Sequence, residues 1–421
     1  MTIPGWPHRR RTRIVGLMAG VFLLSTGLQA QAAPAASSAP ISGPSVTAGP
    51  ARVAKAAASG LRLSGVDASG CTSLAAGRGV CLAKVPEDKV PTSSVAGGGV
   101  SATAVLPIPD WCLAGADTGY IYFLRFEACD ISTWSLETYQ IVNGVRKSTG
   151  ILYTTFLSYT YMDRAQPNWG HQLGVVTRSG DGDALGARIS ANATASGQCN
   201  LISSSFAGLA ATPFESPVTG EAYFASTATA AGAKGPCQTT WNYTYTVPGY
   251  STVSSTNTLL PVRCDNATAG VSYPGCVIPE YPSQIVYSSA TNPNLASHVA
   301  RAQASGLPGG DFDHPLTRTT NTTIRDLNRQ LACGDAPSIT GLSCDEYPVA
   351  TSKQGLGATG SLDRRTFDNC SYTLPRATGP SGVSVCMIPV GEQRSQGGLH
   401  TQFYRSERML EDDPFVIEVG P

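Results

Sequence analysis

The 421-residue chain carries little charge. Asp, Glu, Lys and Arg make up 14% of it, and 29 basic residues balance 29 acidic ones. That excludes a whole-chain basic field for nucleic acid, and there is no acidic tail. Methionine is scarce, with five residues, and no heptad or leucine-rich helical pattern runs for long. A helical bundle or coiled coil is therefore excluded. No two of the 12 cysteines are spaced C-x2-C, so zinc is not expected. The chain also lacks G-x-S-x-G, H-E-x-x-H, a phosphate-binding glycine loop and a Rossmann fingerprint. What it has in quantity is Gly (45) and Pro (29), which makes it loop-rich but short of the composition of a disordered chain.

The one long apolar run lies near the N-terminus. Arg9, Arg10, Arg11 and Arg13 precede an apolar stretch from Ile14 to Leu28, and Ala30-Gln31-Ala32 follows. This reads as a signal peptide over 1–32 cleaved after Ala32, because the run is too short to span a bilayer. The expected localisation is secreted, extracellular, with no membrane span in the mature chain. In an oxidising compartment an even cysteine count reads as disulfides. The spacings favour near-neighbour bridges: Cys71–Cys81, Cys112–Cys129, Cys199–Cys237, Cys264–Cys276, Cys333–Cys344 and Cys370–Cys386. Sequence alone leaves the connectivity open.

Composition divides the rest. Residues 33–105, dominated by Ala, Ser, Gly, Pro and Val, read as a linker or pro-segment with one small stapled loop at Cys71–Cys81. Residues 106–290 hold short runs rich in Tyr, Thr, Val, Ile and Trp, broken by Gly, Pro, Asn and Asp. Tyr243, Tyr245 and Val247 alternate with Thr244 and Thr246, a period of two. The fold class expected there is an all-β antiparallel, sandwich-like domain. Residues 291–421 change texture again. Asn292-Pro293 opens a helix with Leu295, Val299 and Ala302 on one face, and Asn321 caps a second over Thr322–Ala332. Gly382–Pro389 reads as a central strand, Ser395 to Arg405 as a further helix and Phe415–Val419 as a final strand. The chain is thus expected to be multidomain, ending in a small, disulfide-stapled α+β domain.

Three segments in this last part carry chemistry. They are Cys344-Asp345-Glu346-Tyr347-Pro348-Val349-Ala350, then Glu392-Gln393-Arg394-Ser395-Gln396-Gly397-Gly398, then Asp412-Asp413-Pro414-Phe415-Val416. Together and in this order they resemble the NucB-like secreted bacterial deoxyribonucleases, over about residues 292–421. His298 to Gln303 and Pro315 to Arg318 resemble the approach region of such proteins. Two positions depart from the pattern: Val349 stands for Phe, and Asp412 for Gly. The resemblance implies a nuclease-like fold and a reduced ββα-metal site. In that site Asp345 activates water, Glu392 holds the metal with Gln396, and Glu346 assists either. Arg325, Arg329 and Arg394, with Gln396, would hold the phosphates. If Asp345 is not the base, His298 or His400 is the next candidate. Asp413, just before the last strand, reads as a turn residue.

The chemistry fits these residue types. Phosphodiester hydrolysis needs an activated water and a charge sink, and a divalent cation helps with both. Mg²⁺ or Mn²⁺ takes carboxylate oxygen and keeps several waters, so one or two carboxylates suffice. Residues 292–421 hold eleven Lys and Arg against fourteen Asp and Glu, with ten of the eleven being Arg. The overall charge argues against a nucleic-acid binder, and the arginine bias argues for bidentate phosphate contacts. The expected function is a metal-dependent, non-sequence-specific endonuclease, a hydrolase acting on DNA, with RNA open as a second substrate. The β-rich part would contact cell wall or matrix. The competing reading is a β-sandwich that binds glycan or cell wall, followed by an inactive nuclease-like domain.

Overall fold

The computed structural model describes residues 53–57, 70–73, 77–85, 106–115 and 119–421. The expected signal peptide and cleavage site lie outside these residues. The described fold is mostly antiparallel β-sheet with few helices and six disulfides. All six near-neighbour bridges form. None of the described helices is long and apolar enough to cross a membrane.

Two sheets make the β-rich region. The larger is built around β1 (Glu127–Val142), β2 (Val145–Met162), β3 (Asn168–Gly180) and the strand Val218–Ser226. The β1–β2 hairpin turns at Asn143-Gly144, where both residues have positive φ (54° and 77°). That dipeptide at a two-residue turn matches the twist of the flanking strands. The second sheet centres on β4 (Arg188–Gly197) and β5 (Lys234–Thr246), followed by β6 (Val262–Asp265) and β7 (Gly275–Val277). Along β5 buried and less buried residues alternate, so Trp241, Tyr243 and Tyr245 face inward. They meet Trp134, Phe156, Trp169 and Phe224 of the larger sheet in one core. Phe156 and Tyr243 stack with centroids 4.1 Å apart. These aromatic side chains are core, whereas Tyr120 and Tyr273 of the same region are exposed.

The expected linker at 33–105 is corrected in part. Ala54–Ala57, Cys71–Ser73 and Arg78–Lys84 are strands of the larger sheet. Val80 and Leu82 are fully buried in its core. Small-residue composition hid a strand whose alternate side chains are apolar. The remainder of 33–105 lies outside the described residues.

The C-terminal region begins earlier than the change of texture at 290. β8 (Ser283–Ser288) pairs in parallel with the last strand of the chain, β11 (Pro414–Gly420). Between them come helix α1 (Pro293–Ala304), α2 (Thr322–Cys333), the antiparallel pair β9 (Leu342–Tyr347) and β10 (Val383–Pro389), and α3 (Val390–Ser406). The cap expected at Asn321 forms, its side chain accepting from the Ile324 amide at 3.2 Å. Leu295, Val299 and Ala302 of α1 pack with Ile285, Tyr287, Ile388, Phe403, Phe415 and Ile417. Asp412, where the resembled segment has Gly, has φ of +73°, the left-handed region that Gly adopts freely. Its carboxylate meets Lys353.

Asp413 closes the turn before the last strand, as expected from sequence, its Oδ2 accepting from the Leu410 amide at 3.0 Å, and it does more than that. It is 3% exposed and accepts from Arg125 Nη2 at 2.7 Å and from Arg263 Nη1, both of the β-rich region. Burial alone would raise its pKa, but the two guanidinium groups outweigh that and hold it below the ordinary carboxylate range. Arg408, equally buried, reaches the other way, to Asp265 Oδ1 at 2.9 Å, the Arg164 carbonyl at 2.8 Å and the Tyr273 carbonyl at 3.2 Å. The β-rich and C-terminal regions thus share a buried ionic seam.

Candidate functional site

The site grows from β9 and α3. In a strand successive side chains point to opposite faces. Asp345 turns inward, where its Oδ2 stands 2.7 Å from His298 Nδ1 on α1 and its Oδ1 accepts from Gln396 Nε2 on α3 at 3.0 Å. Glu346 turns the other way, into a pocket of about 360 Å³. Residues 393, 396, 397, 400, 401 and 404 of α3 line the same pocket. Their spacing is that of one helix face.

Charge in the pocket is one-sided. Arg318, Arg325, Arg329 and Arg405 line it, and Glu346 is its one carboxyl group. Burial, with Asp345 adding to it, pushes the Glu346 pKa up to about 8. At neutral pH the pocket therefore holds four guanidinium groups around a largely protonated acid. Arg318 lies over the Tyr404 ring, 3.9 Å from its centroid. The buried Nε atoms of Arg318 and Arg325 and the Oε1 of Gln393 have no hydrogen-bond partner among the described residues. Buried polar groups without partners are costly, so a donor-and-acceptor set of this kind suits a polar ligand. Gly397 lines the pocket, and a Cβ added there or at Gly398 would meet nothing within 4 Å. Mid-helix glycines cost about 1 kcal/mol each relative to alanine, and no packing need among the described residues explains these two.

Of the residues picked out by sequence, Glu346, Arg325, Arg329 and Gln396 come together here. Arg394 does not; it is exposed on α3. Glu392 also lies apart, although α3 carries both it and Gln396. Its two oxygens accept from Asn294 Nδ2 at 2.7 Å and from the Leu295 amide at 2.8 Å, at the first turn of α1. A carboxylate there satisfies an amide the helix itself cannot use and complements its dipole. Asp345 is one layer behind the pocket, with both oxygens engaged and 1% exposure. Replacing it with Asn places an NH₂ group opposite a ring nitrogen or the Gln396 amide. Asp345→Asn is expected to cost about 3 kcal/mol. Urea denaturation measures this, and an unchanged midpoint would refute the reading of Asp345 as a structural acceptor.

The two histidines held as alternative bases, His298 and His400, are buried too. His298 Nε2 stands 2.6 Å from Ser384 Oγ, which completes a Ser–His–Asp series with Asp345. Ser384 and His298 are both fully buried, so no substrate reaches the hydroxyl and the series is not a nucleophile triad. His400 hydrogen-bonds the Tyr404 hydroxyl at 2.8 Å through Nδ1 and the Tyr287 hydroxyl through Nε2. Burial, helped by Arg318, lowers its pKa to about 3, so it stays neutral and holds Tyr404 under Arg318.

Among the described residues no cluster of three or more His, Cys, Asp or Glu is arranged to hold a metal. A hard cation needs less than that. The Glu346 carboxyl group and the unpartnered Gln393 Oε1 are oxygen donors of the type Mg²⁺ or Mn²⁺ takes while keeping water. Sequence reasoning missed Arg318, Tyr404 and Arg405 as pocket residues; for Tyr404 the i, i+3, i+4 spacing from 393 was the available signal. No family model, curated protein or solved structure matches the chain.

Proposed function

We propose that this pocket binds a phosphodiester and hydrolyses it, making the chain a secreted endonuclease that acts on DNA. The observation that carries the reading is that four arginines and one buried carboxyl group line the same pocket, next to unpartnered donor and acceptor atoms. Guanidinium groups match phosphate oxygens in geometry and neutralise the charge that builds in the transition state. Gly397 leaves the backbone of α3 open to the ligand. Glu346, once ionised, takes the proton of the attacking water at a carboxylate oxygen. Gln396, held by Asp345, fixes the floor of the pocket.

Glu346 and Gln393 would hold a divalent cation, Mg²⁺ or Mn²⁺. Such an ion supplies charge neutralisation and a more acidic water. Glu392, in this reading, fastens α1 to α3 and leaves the metal to Glu346.

A plasmid-nicking assay on oxidised, full-length mature protein tests the proposal. Nicking is expected with Mg²⁺ or Mn²⁺ and its loss with EDTA. It is also expected to weaken steeply with salt, because phosphate contacts release counterions. No cleavage of DNA or RNA under any of these conditions would reject the reading.

A further inference from the structure

The pocket is not built by the C-terminal region alone. Ala269 and Gly270, on the loop between β6 and β7 of the β-rich region, line it opposite α3. This loop is held at several points. Cys264–Cys276 closes its base. Asp265 Oδ1 accepts from the Thr268 hydroxyl at 2.8 Å and from the Ala267 and Thr268 amides at 3.2 Å each. The buried Arg408, three residues after Arg405, donates to Asp265 and to the Tyr273 carbonyl.

Gly270 sits against Arg405. Its φ is +78°, and a Cβ there would stand 2.4 Å from Arg405 Nε and 2.5 Å from Nη2. No carboxylate among the described residues pairs with Arg405 in an ion bridge within 4.0 Å. The guanidinium is thus set by the shape of the loop and not by an ionic partner.

We infer that the 266–274 loop of the β-rich region is the second wall of the phosphate pocket, and that Gly270 is a positioning residue that aims Arg405 at a ligand phosphate. This rests on the pocket being a phosphodiester site, and it assigns the upstream region a part in substrate binding. A side chain at 270 pushes the guanidinium off its line and weakens phosphate binding without touching Glu346.

The test uses the full-length oxidised protein, with inorganic phosphate and pyrophosphate as probes in calorimetry, and cleavage kinetics beside them. Arg405→Ala is expected to weaken binding about tenfold, as loss of a charge-assisted contact does. Gly270→Ala is expected to weaken it at least fivefold and to raise KM more than it lowers kcat. In the Arg405→Ala background Gly270→Ala should add nothing, because the two act as one unit. Gly232→Ala supplies the control for backbone strain: Gly232 has the same φ of +78° and nothing within 4 Å of a Cβ. It should leave binding unchanged. Gly270→Asn, which tolerates positive φ yet carries a Cβ, replaces the alanine variant if that one fails to fold. Additive effects of Gly270→Ala and Arg405→Ala, or unchanged binding in both Gly270 variants, would overturn the inference while leaving the pocket reading intact. A wild-type protein that binds neither probe would overturn both.

Discussion

Replacing Glu346 with Gln is expected to lower phosphodiester cleavage by at least about 100-fold, the scale of a lost general base. The same substitution is expected to stabilise the fold at alkaline pH. The sign follows from the proton count. Glu346 has an ordinary value of 4.5 and a folded value of about 8. Between those values the folded state holds a proton that the unfolded state has released. Stability therefore falls as pH rises from about 4.5 to about 8, and stays at its reduced level above that. Gln cannot ionise, so Glu346→Gln lacks this loss. In EDTA the two proteins should melt alike near pH 5. The variant should melt higher by a margin that grows to about pH 8 and then levels off. Wild-type cleavage should rise over the upper part of the same range, as the carboxylate form appears. Parallel melting curves from pH 5 to pH 9 would mean that Glu346 is not held protonated in the fold.

The second large effect concerns the seam between the two regions. A fragment starting at residue 291 lacks β8, so it leaves one edge of β11 unpaired. It also removes Arg125 and Arg263 from Asp413, and Asp265 from Arg408. Breaking a buried ion pair by removing one partner costs about 3–5 kcal/mol. Two such losses approach the whole stability of an ordinary domain, about 5–15 kcal/mol. The 291–421 fragment is expected to be unfolded, and Asp413→Ala in the full chain to lose about 3–5 kcal/mol. Circular dichroism of the fragment and urea denaturation of the variant check this. A fragment that melts cooperatively at the full-length temperature would show that the C-terminal region is independent.

Much of this was legible beforehand, for identifiable reasons. The cysteine pairs formed as their short spacings suggested, and α1 and α2 begin where Asn-Pro and the Asn321 cap mark them. β10 and β11 were visible as apolar runs. The start of α3 was placed five residues late because Gly391, Gly397 and Gly398 dilute its helical character. Of the candidate site, the D-E dipeptide was legible, but not which acid faces the pocket, since that depends on the register of β9 against β10. Glu392 misled for a plainer reason. Its partners, Asn294 and Leu295, lie almost a hundred residues away in sequence. Gly270 and Arg405 meet across a still longer separation.

The parallel pairing of Ser283–Ser288 with Pro414–Gly420 sets an order of events during synthesis. The strand that opens the C-terminal region waits for one made more than a hundred residues later. Asp413, which neutralises two buried arginines of the β-rich region, arrives only just ahead of it. A nascent chain that stops before residue 413 has neither the closing strand nor that carboxylate. In such a chain α3 lacks the Phe415 and Ile417 that it packs on, so the arginine pocket has no floor. Residues 413–420 therefore govern the pocket without lining it.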